Sequence, residues 1–392
     1  MKTLTYSRQT IEADDIQSVV EALQSDYLTG GSQVSEFEKE IAAYCGSRYA
    51  VVCANGTAAL HLACLALGIE PGDGLVTSAI TFLASANCGR YLGAQVAFSD
   101  TDPGSQCLSV QSLEMRLAQL PRPRVVVPVH FAGATADMPS IAALSRRYGA
   151  AVIEDGCHAL GSSFPNGRKV GSCEFSDLTI FSFHPLKAIT TGEGGAITTN
   201  REDLYHRLVR LRSHGIERDP SHWVVPEQGF EGAIASPWYH EMQSLGLNYR
   251  LTDVQCALGR SQLRKLDRFV EARRQVARWY REELLRRGQK VRAQFPEEVP
   301  GHSYHLFPVL VDFENGPSRS HVMRALGQAG IHTQVHYIPV YRQPYYRALF
   351  AGSPADFPNA ERYYSQTLSL PIFPSLERQD VARVVKALYD VL

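Results

Sequence analysis

Two residues in this sequence stand where a charge is expensive. Asp155 ends the apolar run Ala151-Val152-Ile153-Glu154-Asp155 and is followed by Gly156. Lys187 lies just past a second apolar run, Leu178-Thr179-Ile180-Phe181, and is followed by Thr190-Thr191-Gly192-Glu193-Gly194-Gly195. A carboxylate partly buried at a strand end needs a cationic partner. A protonated pyridine nitrogen is such a partner, and the pair would let the ring act as an electron sink. A lysine held beside a ring and a phosphate can form a Schiff base and then shuttle protons. The glycines after it allow a backbone to approach closely. The gap of 187 − 155 = 32 residues leaves room for one crossover and puts both groups at neighbouring strand ends. Alone, each has an ordinary reading: a helix cap for Asp155 and solvated surface for Lys187.

Two further groups supply what such a ring would need. Asn55-Gly56-Thr57 lies between an apolar run and a helical pattern, and helix N-termini attract phosphate. Thr57 alone could equally be an N-cap. Ser182, five residues before Lys187, could add a hydroxyl to the same phosphate. In Thr81-Phe82-Leu83-Ala84-Ser85-Ala86-Asn87 an aromatic follows the Val76-Thr77 strand and could stack on a flat ring, although core packing explains Phe82 by itself. A phosphate-binding turn, an aromatic platform, a strand-end Asp and a strand-end Lys together fit pyridoxal 5'-phosphate.

These residues need a parallel sheet to carry them. Between about residues 50 and 200, runs such as Val51-Val52-Cys53, Gln95-Val96-Ala97-Phe98 and Val125-Val126-Val127-Pro128-Val129 alternate with helical patterns. The runs are continuously apolar, as in strands buried on both faces of a mostly parallel sheet. A helix is expected over Thr57–Leu67, with Gly68 and Pro71 ending it. From Asp253 to Arg287 the pattern gives one long charged helix or two in succession, stopping at Gly288. A strand over Tyr304–Phe313 and helices over His321–Ala329 and Asp380–Leu392 follow. The expectation is an α/β chain: a large domain over 1–260 and a small α+β domain over 261–392. Pro220–Tyr239, rich in Gly, Pro and aromatics, reads as a long loop.

The 392 residues carry a formal charge of −1, which leaves no electrostatic footprint for nucleic acid or a membrane surface. No apolar stretch is long enough to span a bilayer. Met1-Lys2-Thr3-Leu4-Thr5-Tyr6 is not followed by the apolar core of a signal peptide, so a cytoplasmic location is expected. The eight cysteines form no C-x-x-C pair and read as buried, reduced thiols rather than a metal or redox site.

With these motifs in place the chain resembles the fold-type I, aspartate-aminotransferase-like enzymes, and among them the DegT/StrS-type sugar aminotransferases. The resemblance covers essentially the whole chain. It rests on Leu28-Thr29-Gly30-Gly31, Asn55-Gly56-Thr57-Ala58-Ala59-Leu60-His61, Ile80-Thr81-Phe82, Ile153-Glu154-Asp155-Gly156-Cys157-His158-Ala159, Phe181 to Lys187, Gly194-Gly195-Ala196 and Leu247 to Gln255. Three stretches, Tyr6-Ser7-Arg8-Gln9, Phe183 to Gly195 and Gln334-Val335-His336-Tyr337-Ile338-Pro339, look most like one subgroup. That subgroup is the UDP-4-amino-4,6-dideoxy-N-acetyl-β-L-altrosamine transaminases of pseudaminic acid biosynthesis.

The resemblance implies that Lys187 bonds the cofactor and moves protons, that Asp155 pairs with the ring nitrogen and that Phe82 stacks on the ring. Gly56, Thr57 and Ser182 would hold the phosphate. His158, where many relatives carry Gln, would sit near the phenolic oxygen. Asn248 would reach the phosphate of a neighbouring subunit, which implies a homodimer. Tyr6, Leu28, Thr29, Gly30, Gln334, His336 and Tyr337 would grip a UDP-linked keto sugar, and Arg250 would take an anionic group of L-glutamate or of the diphosphate. Gly56 stands where many relatives have Ser, and Gly30-Gly31 departs from the subgroup's Thr-Gln-Gly. The rival readings are another keto nucleotide-sugar, or a cofactor-binding protein without transamination. Against the second, the related sugar dehydratases carry His at the position of Lys187.

Overall fold

The structure, a computed structural model, describes residues 3–349 and 352–392; the first two residues of the N-terminal stretch, Met1-Lys2, lie outside them. Its centre is a seven-stranded sheet. The strands are β1 (Tyr49–Cys53), β2 (Gly74–Ser78), β3 (Gln95–Ser99), β4 (Pro123–Val127), β5 (Ala151–Asp155), β6 (Leu178–Ser182) and β7 (Gly195–Thr199). Their order is β1-β7-β6-β5-β4-β2-β3. All pairs are parallel except those of β7, which runs antiparallel to both neighbours.

Side chains alternate across this sheet and both faces are covered, which is why its strands read as unbroken apolar runs. Val51, Cys53, Ile153 and Ile180 pack under the helices Gly56–Ala66 and Glu202–Arg212. Val52, Val126, Val152 and Phe181 pack on the other face, against Phe37, Ile141 and Phe269. Each such side chain removed from water contributes about 1.5–3 kcal/mol, so the sheet is a rigid platform for whatever its ends carry.

The second half of the chain builds a three-stranded antiparallel sheet from Val291–Ala293, Phe307–Val311 and Thr367–Leu370. The long helix Leu266–Arg287 and the helices Arg319–Gln328 and Arg378–Val391 cover it. Tyr280 stacks on Phe307 with centroids 4.7 Å apart, and Leu4 from the N-terminal segment enters the same core.

Two details differ from the sequence reading and one open alternative is decided. The strand β7 is additional: its Gly195-Ala196 start carries no strong strand signal, and pairing on both edges fixes it. Of the two alternatives for Asp253–Arg287, the structure takes two helices in succession, Asp253–Leu263 and Leu266–Arg287. Pro220–Tyr239 is not a structureless loop. It holds two short 3-10 turns and a tiny hairpin, Phe230–Glu231 with Ile234–Ala235, folded around Trp223. The Trp223 ring meets Phe230 and Tyr239 edge-on, and the Glu241 carboxylate accepts from the Val224 and Val225 N–H groups.

No helix among the described residues is long and apolar enough to cross a membrane. Seven cysteines are buried, Cys157 is half-buried, and all are free thiols. No cluster among the described residues could hold a metal ion.

Candidate active site

The carboxyl ends of β5 and β6 open into a cleft of about 1030 Å³. Asp155 is the last residue of β5, paired in parallel register with Ile180 of β6. Because β7 returns antiparallel, the β6–β7 connection stays at this end of the sheet, and that connection carries Lys187. Its turn is held by Lys187 N–H donating to the His184 carbonyl (2.8 Å) and Thr191 N–H to the Phe183 carbonyl (3.0 Å). Lys187 is partly buried on the cleft wall, and desolvation pushes its amine below the ordinary lysine range, opposed by Cys157 and Asp155. Asp155 is buried, with Oδ1 accepting from Cys157 N–H at 3.1 Å and Oδ2 from the Ser85 hydroxyl at 2.6 Å.

Beside this pair the helix Gly56–Ala66 points its N-terminus into the cleft. Asn55 is the N-cap, its side chain accepting from Ala58 N–H at 2.8 Å. The capping reading of Thr57 is therefore replaced: Asn55 does that work, and Thr57 lines the cleft. The Gly56 and Thr57 N–H groups precede the first intrahelical bonds and have no partner in the helix. The turn is packed to the limit. A Cβ on Gly56 would lie 2.9 Å from Ser182 Cβ, and one on Gly195 would lie 2.6 Å from the Asn55 carbonyl. Glycine at both places brings two N–H groups, the Thr57 hydroxyl and Ser182 to one spot, a cradle for a phosphate.

Opposite the cradle, Phe82 is 56% exposed, so its ring belongs to the cleft wall and not to the core. Tyr337 lies 6.2 Å from it, centroid to centroid. His158 is buried and its ring nitrogens have opposite roles. Nδ1 accepts from Ala132 N–H at 3.3 Å, and Nε2 sits 3.0 Å from the Tyr337 hydroxyl. Burial pushes His158 well below the histidine range, so it is neutral. With Nδ1 accepting, its proton is on Nε2 and is donated to Tyr337. Burial raises Tyr337 well above the phenol range, so the tyrosine stays protonated and its own proton is free to point elsewhere.

The other wall comes from the second half of the chain and from the N-terminal segment. Gln334 pairs by backbone with Ser369, and His336 Nδ1 lies 2.9 Å from Ser369 Oγ. Tyr6 packs its ring 5.4 Å from that of His336. Burial holds His336 near pKa 3. His305, which the sequence did not single out, also lines the cleft, 4.4 Å from His158 by ring centroid and with a buried, unpartnered Nδ1. No local motif marks it. Ser85 lies within Thr81-Phe82-Leu83-Ala84-Ser85-Ala86-Asn87, and only its bond to Asp155 marks it as part of the site.

The cleft thus gathers Tyr6, Gly56, Thr57, Phe82, Asp155, His158, Ser182, Lys187, Gln334, His336 and Tyr337. It does not gather Leu28, Thr29, Gly30, Asn248 or Arg250 from the same chain. Leu28 to Gly30 are exposed on the turn before the helix Ser32–Cys45, where the Leu28 carbonyl accepts from Asp253 N–H at 3.0 Å. Asn248 and Arg250 are exposed, while Tyr249 between them lines the cleft.

A buried carboxylate for a ring nitrogen, a lysine with a depressed amine, a flat-ring platform and a phosphate cradle fit pyridoxal phosphate in every part. The comparisons agree. Residues 9–389 match the DegT/DnrJ/EryC1/StrS aminotransferase family. The chain is 38% identical over 391 residues to the spore coat polysaccharide biosynthesis protein SpsC of Bacillus subtilis, covering 99% of this chain and 97% of that one. It is 36% identical over 390 residues to a Campylobacter jejuni UDP-4-amino-4,6-dideoxy-N-acetyl-beta-L-altrosamine transaminase, again covering 99% and 97%. Among solved structures, Helicobacter pylori PseC, an aminotransferase involved in the biosynthesis of pseudoaminic acid, superposes with a TM-score of 0.89 at 29% identity, over 100% of this chain and 99% of that one. The chain belongs to the DegT/DnrJ/EryC1/StrS family and is a pyridoxal-phosphate-dependent sugar aminotransferase.

Proposed function

We propose that the enzyme moves an amino group from L-glutamate to C4 of a UDP-linked 4-keto-6-deoxy-N-acetylhexosamine, forming UDP-4-amino-4,6-dideoxy-N-acetyl-β-L-altrosamine. The observation that carries this reading is the wall built by Tyr6, Gln334, His336 and Tyr337 beside Lys187. Those residues belong to the motifs most like the altrosamine transaminases, and a Campylobacter relative of that name is 36% identical over 390 residues. The cleft, at about 1030 Å³, also exceeds what a cofactor alone requires.

In this reading the cofactor, when bound, supplies the electron sink that lets an amino group move between carbon skeletons. The residues do the rest. Gly56, Thr57 and Ser182 hold the phosphate, Phe82 covers one face of the ring and Asp155 keeps the ring nitrogen protonated. His158 donates from Nε2 to Tyr337, which leaves the tyrosine's own proton free for a group bound in the cleft. Lys187 Nζ would take the proton from the donor's α-carbon and pass it on to the cofactor, and in the second half-reaction it would carry a proton back from the cofactor to C4 of the sugar. Its depressed amine favours the neutral form that a base needs.

Among the described residues the cleft lining contains no arginine, and burial keeps its buried histidines neutral. Glutamate's carboxylates and the sugar's diphosphate therefore need cations from elsewhere. Asn248 and Arg250 are exposed and do not line their own cleft, although Tyr249 between them does. We assign them to the cleft of a second copy, in a homodimer with shared sites, and place the enzyme in the cytoplasm.

The test is a mass-spectrometric product assay with pyridoxal phosphate, L-glutamate and UDP-2-acetamido-2,6-dideoxy-β-L-arabino-hexos-4-ulose, with Lys187→Ala as control. An amino product from the wild type only is expected. Turnover by Lys187→Ala would sink the assignment of the base. A second reading, the same chemistry on another keto nucleotide-sugar, is favoured by the 38% identity to a spore coat polysaccharide protein. It predicts glutamate-driven conversion of the bound cofactor to its amine form with no product from this sugar.

A further inference from the structure

Asp155 is reached by a hydroxyl, that of Ser85, which does not line the cleft. Ser85 Oγ, fully buried on the helix Ala84–Arg90, lies 2.6 Å from Asp155 Oδ2 and 2.7 Å from Thr81 Oγ1, which is buried in turn. The carboxylate can only accept, so the single Ser85 proton points at Asp155. The Thr81–Ser85 bond must then be donated by Thr81. The hydroxyls are ordered: Thr81 to Ser85 to Asp155. The same turn presents Phe82 on the cleft wall, so one short segment sets both the ring platform and the carboxylate beside it.

We propose that Thr81 and Ser85 form a directed hydroxyl relay that fixes the plane of the Asp155 carboxylate and sustains its charge toward the cofactor's ring nitrogen. Ser85 is a positioning residue: it acts through Asp155 and rests on the reading of Asp155 as the ring nitrogen's partner. With Oδ1 held by Cys157 N–H and Oδ2 by Ser85, the carboxylate cannot rotate, and its remaining lone pairs are directed by the protein. Hydroxyl-to-carboxylate bonds of this length are charge-assisted, and a donor behind the donor polarises the bond further in a dry interior.

The relay is tested in the holoenzyme loaded with ¹⁵N-labelled pyridoxal phosphate, where the ring-nitrogen NMR shift separates protonated from unprotonated rings. Asp155→Asn, Ser85→Ala, Thr81→Val and Ser85→Thr are compared with the wild type. Asp155→Asn is expected to move the signal to the unprotonated position. Ser85→Ala is expected to move it part of the way and to lower kcat about ten- to a hundredfold, the effect of one hydrogen bond to a charged group, with KM for glutamate changed less than about twofold. Thr81→Val should act in the same direction more weakly, and Ser85→Thr should restore the signal. A purely structural role for Ser85 would leave the ring nitrogen unmoved. If Asp155→Asn moves the signal and Ser85→Ala does not, the relay is wrong while the role of Asp155 stands. If Asp155→Asn leaves it unmoved, the role of Asp155 fails and the relay with it. Should Ser85→Ala not fold, Thr81→Val decides, and a wild-type signal from it overturns the relay.

Discussion

The Tyr337 hydroxyl accepts a hydrogen bond from His158 Nε2 at 3.0 Å, and this bond ties the turn after β5 to the segment that closes the cleft from the chain's second half. Its direction is fixed because Ala132 N–H already occupies His158 Nδ1. Removing the tyrosine oxygen leaves a buried N–H without an acceptor, which costs about 1–3 kcal/mol. Tyr337→Phe is therefore expected to destabilise the apoprotein by that amount in urea denaturation. In a His158→Leu background the same change should cost less than about 0.5 kcal/mol, since the pair's interaction is already gone. Additive losses in the double-mutant cycle would show that the two side chains do not interact.

Buried neutral histidines make the fold sensitive to mild acid. Burial holds His302 and His336 near pKa 3, and pushes His158 and His305 down as well. Unfolded histidine titrates near 6.5. Above that pH both states are neutral and the folded chain keeps its full stability. As the pH falls below 6.5 the unfolded chain takes up protons that the folded one refuses, so stability drains away until the folded values are reached. At pH 5 the loss is about 2 kcal/mol each for His302 and His336, and His158 and His305 act in the same direction. Carboxylates largely keep their charge in this window, which isolates the effect. The urea midpoint should fall from pH 7.5 to pH 5, and His302→Phe should flatten part of that slope. A midpoint constant over this range would mean that these imidazoles can be protonated in place.

How far the site could be read from sequence depended on whether the signal was local. Asp155 and Lys187 were legible because a charge at the end of an unbroken apolar run is conspicuous, and the structure does set them at adjacent strand ends. The phosphate turn was legible in outline, but its cap was not: Asn55 and Thr57 are both good cap residues, and only the φ/ψ of Asn55 and its bond to Ala58 decide between them. The strand β7 escaped because Gly195-Ala196 has little strand propensity; its place is set by pairing with β1 and β6 and by its approach to Asn55, both long-range. His305 lies 147 residues from its ring neighbour His158 (305 − 158), so no spacing rule could join them. The Pro220–Tyr239 segment looked irregular because its order comes from one buried tryptophan and the Glu241 carboxylate, neither of which produces a periodic pattern.

The orientation of Arg250 leads to a test that needs no structure of an assembly. Its guanidinium donates to Ser213 Oγ at 3.0 Å and stands outside the cleft that holds its own chain's Lys187. If it serves the site of a second copy, each site combines Lys187 from one chain with Arg250 from the other. Lys187→Ala and Arg250→Ala are then each expected to be nearly inactive alone. Mixed, unfolded together and refolded at equal amounts, they should form hybrid dimers in which one of two sites has both residues intact. With random pairing half the dimers are hybrids, so recovery should approach about one quarter of wild-type turnover, as expected for a two-fold symmetric assembly. If Arg250 instead serves its own chain, every hybrid site lacks one residue or the other, and mixing restores nothing.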